Sequence, residues 1–241
     1  LKAKKITHDQ IKKTIYYDHA TLKLYDIPIF YFPKFFHPDP TVKRQSGFLT
    51  PSLLNSSTSG GSIDIPYFKV ISENKDYTFT PRIYFNEDFL IKNEYRQVEK
   101  NTNHISDFSL KKLDVSTKSH FFSNTKFTLK NDFDLSEIEI NLEKTSNDTY
   151  LKNDNITSDT RDNNNQSLLN SYIKFNANRE DLDIFAEISA YEDLTKEKNS
   201  NKYHFILPNF TISKLLNNNS KLQGDLNYQI SGSNQKKDTN V

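Results

Sequence analysis

LSEIEINLE, residues 135–143, sets Ile138, Ile140 and Leu142 between Glu137, Glu139, Asn141 and Glu143. Successive side chains of a strand point to opposite faces, so as a strand this stretch has one apolar and one charged face. As a helix it would have neither. The same alternation runs through its neighbours. Phe127, Leu129, Phe133 and Leu135 alternate with Lys126, Thr128, Lys130, Asp132 and Asp134. Leu169, Ile173, Phe175 and Ala177 oppose Asn170, Tyr172, Lys174 and Asn176, and Leu182, Ile184, Ala186, Ile188 and Ala190 oppose Asp183, Phe185, Glu187 and Ser189. Helical periodicity is largely absent, and an all-β chain is expected.

Composition agrees. The 241 residues are only 34% hydrophobic, yet aromatics reach 13%. Few apolar residues with many rings suits an architecture in which alternate positions carry the apolar face, and is unlike a disordered chain. Net charge is +1 with 26% charged residues, so no global field draws nucleic acid. Cysteine is absent, which removes disulfides and thiolate metal sites. Methionine is absent too, even at position 1, and no secretory signal opens the chain, so an internal fragment of a longer protein is expected.

Connector lengths add information. KNDNITSDTRDNNNQ (152–166) is a long Asn/Asp-rich stretch expected to be a solvated loop, whereas SENKD and NNNS are short. Alternating segments joined by long and short polar connectors are the signature of an outer-membrane barrel, with apolar side chains toward lipid. A soluble sandwich has the same alternation with the apolar face inward. Alternation alone leaves both open. Near the start, ITHD, IYYD and LYD recur at about one strand plus one turn, and PKFFHPDP (33–40) reads as a breaker. A domain boundary is expected between that breaker and Gly47.

IPYFKVISENKDYTFTPR (65–82) reads as a hairpin with a proline in each arm. If the turn centres on Glu73-Asn74, Pro66 and Pro81 fall opposite each other. Opposed residues either both point their N–H groups inward or both outward, and the outward case keeps the hairpin's own ladder. Pro66 would then lack its donor on the outer side, toward a seam.

No catalytic or metal-binding motif emerges. The six histidines have no ligand spacing, no GxSxG elbow occurs, and Gly60-Gly61 lacks the Lys and helix of a phosphate loop. The 153–165 stretch lacks the glycine and terminal Glu of a calcium loop. No catalytic residue, metal, cofactor or enzymatic activity is expected.

The run IPIFYFPKFFHPDPTVKRQSGFLTPSL, then IPYFKVISENKDYTFTPRIYF and EYR at 94–96, resembles the outer-membrane lipopolysaccharide-assembly protein family (LptD/OstA). The resemblance lies in an ordered set: HPDP, RQSGFL-P, IPY and D-x-T-x-TP. SEIEINLEKTSNDTYL (136–151), SLLNSYIKFN and LPNF (207–210) also fit. It implies that residues 1–46 are the last rungs of a periplasmic β-jelly-roll and 47–241 the first strands of a large antiparallel transmembrane β-barrel. It further implies lipopolysaccharide transport to the outer leaflet through a lateral gate, from an LptA-like periplasmic bridge protein and beside an LptE-like lipoprotein plug. Membrane lipid would surround the barrel in the cell outer membrane. In these terms Pro66 and Pro81 mark a gate hairpin, and Ile27, Ile29 and Phe35 are candidates to line an acyl-chain site. Arg44, Gln45, Ser46, Gly47 and Phe48 form the linker motif. Family members often carry cysteines that tie the two domains, so disulfide-dependent assembly does not transfer to this chain. A general porin and a soluble carbohydrate-binding sandwich are the alternatives.

Overall fold

Asp9 opens the first turn: its Oδ1 accepts from the N–H groups of Ile11 and Lys12 at 3.0 and 2.9 Å. This joins β1 (Lys5–Asp9) to β2 (Thr14–Leu24), and β2 pairs in turn with β3 (Ile27–Pro38). The three make a separate antiparallel sheet. In this computed structural model the described residues are all but 1, 25, 43, 87, 114–115, 162–164, 198–199, 217–225 and 239–241. Side chains at 22, 24, 27, 29, 30 and 238 also fall outside the description.

PKFFHPDP does not break where expected, because β3 continues through Pro33 to Pro38. Among the described residues β3 pairs only with β2, and an edge strand tolerates missing donors on its free side. The strand stops before Asp39, whose Oδ1 accepts from Thr41 N and Oγ1 at 2.8 and 2.7 Å. Those bonds hold the Asp39 carboxyl below the usual carboxylate range.

The remaining strands form one antiparallel sheet of thirteen. They are β4 (Gly47–Phe48), β5 (Ser52–Ser56), β6 (Gly60–Asp64), β7 (Tyr67–Ser72), β8 (Lys75–Tyr84), β9 (Phe89–Glu99) and β10 (Thr102–Lys112). Then come β11 (Thr117–Thr128), β12 (Leu135–Thr145), β13 (Leu168–Arg179), β14 (Leu182–Asp193), β15 (Tyr203–Leu216) and β16 (Leu226–Asp238). From β8 to β16 every strand pairs with the next in sequence. The one helix among the described residues, α1 (Tyr150–Asn153), lies between β12 and β13. The all-β antiparallel architecture expected from alternation is therefore present.

The sheet's two faces differ sharply. Phe108 opposes Phe121, Ile138 opposes Phe175 and Ile173 opposes Ile188, so these share one face. That face is bare: Leu53 is 75% exposed, Phe85 70% and Leu142 50%. The opposite face carries Asp64, Arg82, Lys92, Asp107, Lys111, His120 and Glu143, most of them buried. A soluble sandwich would show the reverse.

What covers the charged face is the connection after β12, including most of the stretch expected to be a solvated loop. Tyr150 and Leu151 are fully buried, and Asp154, Ile156 and Thr160 nearly so. Tyr150, Leu151 and Ile156 pack with Tyr84, Leu90, Phe122, Leu169 and Leu194 as an apolar cluster. Three apolar side chains and a set of strand charges needing partners draw the segment in, against its polar composition. It also bends the sheet. Ser56 and Ser59 donate to the Asn153 carbonyl at 3.0 and 2.8 Å, so the segment reaches back from β12 to β6. The order from β6 to β12 runs β6, β8, β9, β10, β11, β12. In a flat sheet those strand spacings occupy roughly 24 Å. With Tyr150–Asn153 helical and the residues before it at full stretch, the chain from Thr145 to Asn153 would span about 22 Å, and the turn before the helix keeps it below that. The sheet therefore curves, concave on the charged face and convex on the apolar one.

Aromatic rings settle directly onto glycine at two places on this sheet. A Cβ on Gly61 would lie 2.7 Å from the Phe85 ring, and one on Gly232 2.6 Å from Phe210. Only glycine leaves room for these rings.

Candidate functional site

The proline-bearing edge. β6 and β7 pair with β8 in a single register, Ser62 with Tyr84 and Tyr67 with Phe79, so they are one long strand interrupted at Ile65-Pro66. The turn does centre on Glu73-Asn74, with Ser72 opposite Lys75. A bulge between Val70 and Ser72 then shifts the pairing by one residue. Pro66 and Pro81 are consequently not opposed, which corrects the sequence expectation. Pro81 faces Ile65, which donates to the Pro81 carbonyl at 3.0 Å. The reciprocal bond needs a Pro81 N–H that does not exist, so the hairpin itself loses one bond.

Pro66 points outward, as expected, but not onto an open edge. Its carbonyl accepts from Leu49 N at 2.9 Å, because β4 and β5 lie outside β7 and β6. Pro51 separates β4 from β5, so this outermost strand is also interrupted at a proline. Pro51, Pro66 and Pro81 thus sit at one level on three adjacent strands. Pro81 withholds a donor from Ile65 and Pro66 withholds one from Leu49. Alternation turns the ring nitrogen of Pro51 toward the free edge, since Ser52 pairs with Asp64.

Every residue of the linker motif has a partner. Arg44 Nη1 donates to the Glu73 carbonyl at 2.7 Å, and Nη2 bonds the Asp76 carboxylate. Asp76 also holds Arg96 Nε at 2.8 Å. Gln45 Nε2 donates to Thr14 Oγ1 at 3.0 Å, tying the linker to the first sheet. Ser46 Oγ accepts from Val70 N at 2.9 Å. Gly47 pairs with Phe68, and Phe48 meets Tyr67 edge-on with centroids 5.1 Å apart. In the first sheet Phe35 packs against Tyr17 and Phe32 at 5.8 and 5.5 Å between centroids. The side chains of Ile27 and Ile29 lie outside the described residues.

The covered concave face. Buried Arg82 grips Asp64 with Nε at 2.6 Å and Nη2 at 3.0 Å, and its Nη1 bonds the Asp154 carbonyl. Lys92 reaches the same Asp64 at 2.6 Å. Asp154 Oδ1 accepts from Tyr84 Oη at 2.7 Å and Lys111 Nζ at 2.8 Å. Arg161 Nη2 donates to Glu143 at 2.9 Å and to the Leu168 carbonyl at 2.6 Å, with its guanidinium 4.9 Å from the Phe122 ring centroid. Each buried charge named here has an opposite charge or a carbonyl, as a dry interior demands.

Ser109, His120 and Asp107 line up at the centre. Ser109 Oγ lies 2.6 Å from His120 Nδ1, and His120 Nε2 bonds Asp107. The residue types are those of acyl transfer, but Ser109 is wholly buried and bonds Tyr150 Oη at 2.6 Å. Burial likewise pushes the Tyr150 phenol above its ordinary range. Asp107 takes bonds from Ser158 and, at 2.8 Å, Thr160. The arrangement fastens residues 150–160 to β10 and β11. Among the described residues no three His, Cys, Asp or Glu side chains are placed to share a metal ion.

Sequence reasoning missed this fastening. Its signal was the apolar Tyr150, Leu151 and Ile156 inside a polar stretch, together with charges on alternate strand positions of one face.

No protein-family model matches the chain. Among curated proteins, 90 residues are 33% identical to LPS-assembly protein LptD of Nitrosomonas eutropha, covering 37% of this chain and 12% of that one. The match to LPS-assembly protein LptD of Shewanella oneidensis is 40% identical over 78 residues, 32% of this chain and 10% of the relative. That of Ectopseudomonas mendocina is 37% identical over 84 residues, 35% and 9% respectively. The matched part thus spans about a tenth of each relative's length. Over about a third of its length the chain is related to the LptD family, which bears out the resemblance read from its motifs.

Proposed function

We propose that this chain is part of a longer protein that carries lipopolysaccharide to the outer leaflet of the outer membrane. One observation carries this beyond the similarity: the convex face is apolar and bare while the concave face is charged and filled. A wall between lipid and an aqueous lumen needs that polarity. No described helix is long and apolar enough to cross a membrane, so any crossing falls to the strands. Residues 47–241 are then barrel wall. Residues 1–46 are the end of a periplasmic jelly-roll, with Phe35, and Ile27 and Ile29 by sequence, on its acyl-chain path. The end bearing the two-residue turns at 73–74, 100–101 and 180–181 faces the periplasm, where the Arg44 linker enters. Lipopolysaccharide, an LptA-like bridge and an LptE-like plug are the expected partners, and the work is transport without catalysis.

The proline level is the gate. Each missing ladder bond costs about 0.5–1.5 kcal/mol net in water and more where water is scarce. Stripping donors from adjacent strands lets the edge strand 47–56 part from its neighbours at one level. In the full-length protein, Pro66→Val with Pro81→Val restores donors to the Leu49 and Ile65 carbonyls. Arrival of lipopolysaccharide at the cell surface should slow. Unchanged arrival in that double variant refutes the gate. A full-length chain that stays in solution without detergent, away from the outer membrane, refutes the transport assignment itself.

A further inference from the structure

A cavity of about 430 Å³ opens on the charged face at the end of the sheet away from the two-residue turns. Tyr191 and Asp193 of β14, His204 and Ile206 of β15, and Lys237 of β16 line it, with Lys196, Asn201 and Lys202 from the connection between β14 and β15. Three ammonium groups meet one carboxylate on its wall. Asp193 is already engaged by Thr195 and, at 3.3 Å, by Lys196. Lys202 is held at 2.7 Å by Asp148 and at 3.5 Å by Glu192. His204 Nε2 is buried and meets no hydrogen-bond partner among the described residues. Lys237 stands directly opposite His204 on the neighbouring strand, and its side chain is exposed. The Tyr191 and His204 rings lie 5.9 Å apart, tilted by 30°, and both contribute to the cavity wall.

Each of these features asks for part of one ligand. A buried ring nitrogen without a partner costs free energy until something bonds it. An ammonium directly across the strand pair from it, with no carboxylate partner among the described residues, favours an anion as that partner. An aromatic wall beside polar Asn201 suits the alternating C–H and O–H surface of a sugar ring. The volume is that of a small-ligand site and holds a saccharide unit with one charged substituent. We propose that this cavity is a subsite for an anionic saccharide: the phosphate or carboxylate sits between Lys237 and His204, and the ring rests against Tyr191. It rests on the transport assignment above, in which sugars pass along this face, and adds a holding point near its outer end.

The test uses the full-length protein in detergent with glucose 1-phosphate and glucuronate as probes, and glucose and inorganic phosphate as the separate halves. One or both anionic sugars should bind, each tighter than either half, and which of them binds names the substituent. Lys237→Gln should weaken binding about tenfold or more, the worth of one charge-assisted hydrogen bond. His204→Phe, which keeps the ring and removes the nitrogen, should do likewise. Absence of binding by both probes, or binding indifferent to both substitutions, overturns the subsite. Lipopolysaccharide arrival at the surface is measured alongside. Normal arrival with no sugar binding sinks the subsite alone, whereas binding by a protein that moves no lipopolysaccharide sinks the transport assignment alone.

Discussion

Replacing Asp154 with alanine should release the segment that fills the concave face. Its carboxylate lies 2.8 Å from Lys111 Nζ and 2.7 Å from Tyr84 Oη, and all three groups are buried. Removing one member of a buried ion pair costs about 3–5 kcal/mol, because the other charge stays buried and unpaired. Lys111 keeps Asp88 at 3.3 Å, a partner one-third exposed, so the lower end applies. About 3 kcal/mol raises the released fraction roughly a hundredfold. The cost falls on docking rather than on the whole sheet, since β8 to β13 keep their ladders. Hydrogen exchange at the amides of Asp154 and Ile156, which bond the Tyr150 and Leu151 carbonyls, reads it directly in the full-length protein. Lys111→Met in the same chain removes the stranded charge and should recover part of the protection, a coupling that separates lost attraction from stranded charge. Unchanged exchange in Asp154→Ala, or strict additivity in the double variant, refutes the assignment.

Gly61→Ala should weaken the edge by about 1–3 kcal/mol, since its Cβ would fall 2.7 Å from the Phe85 ring. Phe85→Leu should relieve most of that, read as the urea midpoint of the folded gel band. Arg44→Lys cannot serve both the Glu73 carbonyl and Asp76, because an ammonium lacks the planar fork. Spin labels at positions 12 and 74, introduced as cysteines into a chain that has none, should report a broader distance distribution than with Arg44. Asp39 is held below its ordinary value by Thr41, so its support of the linker turn is complete above the unfolded carboxylate pKa. It fades as pH falls through the lower folded value. Asp39→Ala should abolish that acid-side change in Thr41 amide chemical shift.

Much of this protein is written locally. Period-two alternation at residues 135–143 and its neighbours requires strands with one apolar face, whatever surrounds them, because the pleat alternates side chains. The turn at Glu73-Asn74 is equally local, and so are the motifs that resemble the LptD family. Three features required the tertiary structure. Which face lies inside depends on curvature, and curvature follows from residues 146–161 reaching back to Ser56 and Ser59. The level of Pro51, Pro66 and Pro81 depends on a one-residue bulge and on a strand folded outside the hairpin, neither of which leaves a local mark. The burial of a polar loop depends on charges contributed by β6, β8, β10, β11 and β12. Alternation is a property of neighbours in the chain, whereas the partner of a buried charge is set by strands far apart in sequence.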